Sequence, residues 1–109
     1  MDLPATLGGR RPRPARVADL SLVGCLARTE ASLVAGAVVD LRVELPDGTL
    51  RTKARVADVS VDGDSLPGPS KHFLAGLEFL ALGAADALRL RAFLDTEAKR
   101  RRGAHTPTA

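Results

Sequence analysis

The sequence predicts a mainly β fold: a small antiparallel β-barrel or half-barrel with one C-terminal α-helix packed against it. Three observations predict it. Residues 36–45 form the clearest strand, with strict apolar–polar alternation from Val39 to Leu45, and a Pro-Asp-Gly turn follows. Further short Val- and Leu-rich runs, bounded by Gly and Pro, lie at residues 16–28, 50–61 and 73–82. The period then changes to helical over residues 84–102.

The chain has 109 residues, the size of a single domain. Residues 1–14 hold three Pro, three of the arginines and no periodicity, which predicts a flexible or extended arm. Pro12 and Pro14 bias the residues before them to β or polyproline-II conformations. In a polyproline-II segment, with its three-residue repeat, Arg10, Arg13 and Arg16 would share one edge. The domain proper is expected over residues 15–102, with 103–109 as a disordered tail.

Residues 16–28 predict a strand running into a turn at Gly24, then a second strand. In residues 36–45, Ala37, Val39, Leu41, Val43 and Leu45 take one face, and Asp40, Arg42 and Glu44 the other. Pro46-Asp47-Gly48 is a turn signal, and a hairpin return follows from Leu50 to about Val61. Its apolar phase changes between Val56 and Val59, which a bulge near Ala57 or Asp58 reconciles. Residues 62–70 are a loop on composition. Phe73 to Leu82 reads as a further strand. In the helix, Ala84, Ala87, Leu88, Arg91, Leu94 and Ala98 form a stripe bordered by Phe93. Asp95–Lys99 and Glu97–Arg101 are i,i+4 pairs, and Gly103 is placed as a C-cap. Arg16–Gly24 and Arg55–Gly63 are identical at six of nine positions; two strand corners built with the same chemistry account for this.

Single counts exclude whole function classes. One cysteine, Cys25, leaves no intrachain disulfide and no cysteine-based zinc site. Two histidines, His72 and His105, give little material for a metal site or a Ser-His-Asp triad. No enzyme constellation, cofactor motif or metal site is visible. No Trp, no Tyr and only three Phe disfavour stacking platforms for single-stranded nucleic acid. Net charge is +3 and the pI about 9.8, but the basicity sits in two clusters, Arg10–Arg16 and Lys99–Arg102. Thirteen of the 16 basic residues are Arg, and Ile, Asn and Gln are absent, which indicates a GC-rich coding background behind part of the arginine excess. No apolar run approaches the ~18 residues of a membrane span. The first residues lack a basic region followed by an apolar stretch, so a cytoplasmic location is expected.

Four features together resemble the PilZ domain family. An arginine-rich arm comes first. Asp19-Leu20-Ser21-Leu22-Val23-Gly24 is similar to the family's D/N-x-S-x-x-G. A strand pair with a Gly36 lead-in continues through the Pro-Asp-Gly turn to Arg55-Val56. Gly76-Leu77-Glu78-Phe79 resembles the family's G-x-x-F strand before its helix. The resemblance covers roughly residues 10–98 and implies a split-barrel fold, no catalysis, and binding of cyclic di-GMP, a bacterial second messenger that controls motility, surface polysaccharide or biofilm through partner proteins.

The residue types suit that ligand. Arginine binds phosphate, or guanine O6 and N7, through two parallel hydrogen bonds and can stack on a base. A carboxylate at Asp19 can accept from guanine Watson–Crick N–H groups, and Ser21 can donate or accept. Gly24 would supply a tight turn or a close backbone approach. The candidate ligand residues are therefore Arg10, Arg11, Arg13, Arg16, Asp19, Ser21 and Gly24, with Arg11 and Arg13 expected to matter most. Asp19 and Ser21 equally suit a turn in which they satisfy nearby backbone groups. Cys25 is expected as a small buried residue and His72 as a surface or satisfied histidine.

The sequence departs from the family in two places. No pair among the four arm arginines has the family's R-x-x-x-R spacing, and the strand that the family places between those arginines and D-x-S-x-x-G is not visible. Two function classes result. One is a cyclic di-GMP receptor that relays the signal to a partner protein. The other is a degenerate, non-binding PilZ-like domain acting as a protein–protein adaptor. A monomer or homodimer fits both, and nucleic acid is the disfavoured third partner.

Overall fold

The computed structural model describes residues 2–8, 10–61 and 72–104, the last three by backbone alone. Six strands and one helix succeed one another in chain order: β1 (Leu3–Leu7), β2 (Arg13–Leu20), β3 (Gly24–Thr29), β4 (Val38–Leu45), β5 (Gly48–Val61), β6 (Phe73–Phe79) and α1 (Ala84–Ala104). The strands close into a barrel in the order β1-β2-β3-β6-β5-β4, and every neighbouring pair is antiparallel. Closure leaves no unpaired sheet edge. The predicted small β-barrel with a C-terminal helix is the observed fold.

The expected arm over residues 1–14 is corrected at its start. Leu3–Leu7 is a strand paired on both sides, with Leu3 opposite Val17 and Ala5 opposite Val43. Its inward residues, Ala5 and Leu7, are buried in the core. The alternation of Leu3, Ala5 and Leu7 is the physical reason, and it is too short to stand out beside Pro4. The chain's own first residues thus supply the barrel's first strand, but ahead of the four arginines and not between them and D-x-S-x-x-G. Arg13 and Pro14 also belong to the sheet, as the first residues of β2.

The interior is narrow. Ala5, Ala15, Ala27, Ala54 and Ala75 mix with Leu41, Val43, Leu50, Val56 and Leu77. Small residues let facing strands approach, and the branched ones fill the space between them. Along β4 the expected alternation holds, with Leu41, Val43 and Leu45 inward. Gly48 pairs with Leu45, so Pro46-Asp47 is a two-residue hairpin connection. The bulge expected near Ala57 is present between Val56 and Asp58. A second bulge, not expected, falls between Val17 and Asp19.

The helix differs from its predicted stripe. Leu90 is its fully buried residue, flanked by half-buried Ala87, Phe93 and Leu94, whereas Leu88 is 70% exposed. Positions 86, 90, 93 and 97 repeat at helical spacing toward the barrel, and Leu88 lies roughly 200° round the helix from Leu90. Arg89 fastens α1 to the start of β5: its Nη1 donates to the Thr49 carbonyl at 3.2 Å, and also to Asp86 Oδ1 of its own helix at 3.2 Å. The helix backbone continues through Gly103 to Ala104, so Gly103 does not end it. Glu97 pairs with Arg100, 3.3 Å away. The loop expected at 62–70 and the end of the expected tail, 105–109, lie outside the described residues.

Candidate ligand-binding site

Asp19, Ser21 and Gly24 meet at one end of the β2–β3 hairpin. The bulge at Ala18 decides where Asp19 points. Inward residues of β2 are Ala15, Val17 and Leu20. Uninterrupted alternation would send Asp19 inward with Val17; the extra residue turns it out, opposite exposed Leu26. Asp19 therefore shares the outer face with Arg16, three residues before it.

The turn is held by its own side chains. Asp19 Oδ1 accepts from the Leu20 N–H at 2.9 Å. Ser21 Oγ donates to the Gly24 carbonyl at 3.2 Å and accepts from the Val23 N–H at 3.3 Å. The Ser21 N–H donates to the same Gly24 carbonyl at 2.9 Å. Gly24 has ordinary backbone angles; it is required by proximity. A Cβ there would meet the Leu77 carbonyl oxygen, a backbone atom of β6, closer than the 3.0 Å limit of real Cβ contacts. Of the two roles the sequence left open for this glycine, close backbone approach is the one observed, and the backbone approached is the protein's own.

These residues, with Leu20, Cys25 and Leu26, line a hollow of about 200 Å³. Cys25 is buried, and burial followed by the nearby Asp19 carboxylate pushes its thiol up to about 12. It is a protonated core residue at neutral pH, not a nucleophile. Leu22, at the tip of the turn, is 43% exposed. It shares a cleft of about 310 Å³ with Arg91, Leu94 and Asp95 of α1.

The structure does not bring the arginines together here. β1 and β2 are joined at the end of β2 opposite the Ser21 turn. Arg10 and Arg11 lie in that connection, which begins at Gly8 (φ +98°). Arg13 opens β2 and stands about 20 Å along the strand from Asp19. Arg16 is the member of the group on the Asp19 face, and its Nε is 3.8 Å from Asp2 Oδ1. Arg28 of β3, absent from the sequence-derived set, sits directly across from Arg16. The hairpin pairing would have indicated it, had the Ala18 bulge been placed.

Arg13, Arg16 and Arg28 line a second cavity, of about 370 Å³, at the end of the β2–β3 hairpin away from Ser21. His72 is in that lining, with its Nε2 3.2 Å from Glu30 Oε1. No group of three or more metal-ligating side chains occurs among the described residues, and no helix of the described residues is long and apolar enough to cross a membrane.

Comparison with known proteins identifies the fold family. The PilZ domain model matches residues 2–96. The chain belongs to the PilZ domain family. The match begins within the β1 region, in accord with the strand found there. Solved structures agree on the fold. The PilZ domain with c-di-GMP of YcgR from Escherichia coli superposes with a TM-score of 0.70 at 19% identity, over 97% of this chain and 89% of that one. The Bacillus subtilis inhibitor of motility (MotI/DgrA) gives 0.75 at 18% identity, over 94% of this chain and 50% of that one. K. pneumonia MrkH in its apo state gives 0.74 at 20% identity, over 93% and 50%. This PilZ domain thus spans about half the length of the latter two chains. No curated protein matches it significantly.

Proposed function

We propose that this PilZ domain is a cyclic di-GMP receptor module whose ligand corner is Asp19, Ser21 and Gly24, with Arg16 as its cation. Arg10, Arg11 and Arg13 stand outside that corner. The observation that carries the reading is the Ala18 bulge, which sets Asp19 and Arg16 side by side on one exposed face. Asp19 uses Oδ1 for the Leu20 N–H, and its second oxygen suits a guanine N–H. Arg16 holds Asp2 only loosely, at 3.8 Å, and can exchange it for a phosphate oxygen through two parallel hydrogen bonds. The hollow of about 200 Å³ is below the usual range for a small-molecule pocket, so the ligand would lie over the outer face. Leu22 supports a relay: a ligand that reshapes the turn reaches the cleft shared with α1, and from there a partner protein.

Isothermal titration of cyclic di-GMP into the full chain, with cyclic di-AMP and GTP as controls at two salt concentrations, tests this. The expected result is saturable binding selective for cyclic di-GMP, weakened at least tenfold by Asp19→Ala and by Arg16→Ala and unchanged by Arg11→Ala. A second reading, the non-binding adaptor, is favoured by one observation: three of the four arm arginines stand at the far end of β2. No heat from a folded chain would select it.

A further inference from the structure

Part of the stripe that the sequence marks on α1 is left uncovered by the barrel. Ala84, Leu88, Arg91, Asp95 and Ala98 follow one another at spacings of 4, 3, 4 and 3 residues, the spacing of a coiled-coil seam. All five are exposed, and Leu88 at 70% is the most exposed large apolar side chain of the helix. Leu90, fully buried, points the other way, so the barrel does not compete for this face. We propose that the seam docks a second copy of the chain, with the two helices antiparallel about a two-fold axis between Arg91 and Asp95.

Charge decides the occupant and its direction. Neither the Arg91 guanidinium nor the Asp95 carboxylate has an ion pair or side-chain hydrogen bond among the described residues. They lie one helical turn apart, but cation before anion is the weaker order for an i,i+4 pair. A two-fold contact presents the same patch from both sides, so the patch must complement itself. Antiparallel helices achieve this along the seam: Arg91 of each copy meets Asp95 of the other, and Leu88 meets Ala98. Parallel helices would set Arg91 against Arg91 and bring the basic turns at 99–101 of the two copies together. The antiparallel arrangement holds those turns about 20 Å apart along the axis. Beside the seam lies the cleft of about 310 Å³ lined by Leu22, Arg91, Leu94 and Asp95. Leu22, half-exposed at the tip of the Ser21 turn, adds apolar surface next to the two ion pairs and keeps water from one side of them.

The test is sedimentation velocity of the full chain, with no nucleotide present, from about 10 μM to about 1 mM. A reversible monomer–dimer equilibrium is expected, because a seam of this length belongs to the small, transient class of interface. Leu88→Glu, Arg91→Asp and Asp95→Arg should each weaken dimerisation by about tenfold or more. An equal mixture of the Arg91→Asp and Asp95→Arg chains should associate again, since one then offers two carboxylates and the other two guanidinium groups. All three positions are exposed, so thermal unfolding should show the monomer fold unchanged. A chain that stays monomeric throughout, a dimer that withstands Leu88→Glu, or a mixture as weak as its two components would overturn the proposal.

Discussion

Gly24→Ala separates two meanings of the D-x-S-x-x-G glycine. If the glycine serves the ligand, alanine weakens binding and leaves the apoprotein intact. The geometry argues otherwise. The new Cβ would come inside 3.0 Å of the Leu77 carbonyl oxygen, whereas ordinary contacts begin near 3.4 Å. Relief requires the β3–β6 pair to part by several tenths of an ångström or more. That pair includes Gly24 opposite Glu78 and Cys25 opposite Leu77, and the Phe79 N–H bond to the Val23 carbonyl adjoins it. Overpacking of this kind costs about 2 kcal/mol, which in a domain of this size lowers Tm by roughly 10 °C. The assay is thermal and urea unfolding with no nucleotide present. Gly76→Ala is the contrast: its Cβ would meet Asp58 Oδ1, the end of a side chain that can rotate away, so the loss should be smaller. An unchanged Tm for Gly24→Ala would refute the close-approach account.

Leu90→Ala should destabilise the domain by about 2–5 kcal/mol, since the side chain is fully buried; urea unfolding measures it, and Leu88→Ala should cost far less. Cys25 should resist alkylation at pH 8 in the native state, because its thiol is pushed up to about 12 from 9.0. The linked stability runs in one direction. The folded state retains a proton that the unfolded chain releases above pH 9, so this contribution is constant below pH 9 and declines as pH rises toward 12. Unfolding titrations of the wild type and Cys25→Ala over that range measure it; alkylation as fast as in the unfolded chain would contradict the burial.

The features legible in the sequence were local ones. β4 announces itself because Leu41, Val43 and Leu45 alternate with charges and run directly into Pro-Asp-Gly, so period and turn chemistry agree. The Ala57 bulge was visible for the same reason: the apolar phase on either side of it disagrees. β1 was not visible because five residues with Pro4 among them make a strand only when β2 and β4 close around them, a long-range fact. The helix was found and its facing was not. Leu88, Leu90, Phe93 and Leu94 offer two apolar directions, and the barrel selects the one that buries Leu90. The candidate site divides in the same way. Asp19, Ser21 and Gly24 are neighbours along the chain and meet as expected. The arginines are also neighbours along the chain, but β1 and the length of β2 carry three of them to the opposite end.

The repeated Arg-Val-Ala-Asp explains more than a coincidence of corners. In both copies the valine points inward, the alanine marks the bulge and the aspartate is turned outward. The two bulged strands, β2 and β5, flank β3 and β6, so Asp19, Leu26, Gly76 and Asp58 fall in one row across four strands. Beyond the bulge the two copies diverge. Asp58 faces Gly76, whose missing side chain leaves room for the carboxylate, and β5 continues to Val61. Asp19 faces Leu26, turns its Oδ1 to the Leu20 N–H, and the chain leaves the sheet through the Ser21 turn. The same residues thus build a closed strand pair in one place and an open corner in the other. The D-x-S pattern is first an instruction to the backbone, which keeps its value with or without a nucleotide. Ser21 and Gly24 satisfy that instruction with contacts inside the protein, so their presence alone does not argue for a ligand. Arg16 makes no contact that holds the turn; its partner is Asp2, at 3.8 Å, so under the proposed receptor reading Arg16→Ala, and not Ser21→Ala or Gly24→Ala, is the substitution that tests the ligand apart from the fold.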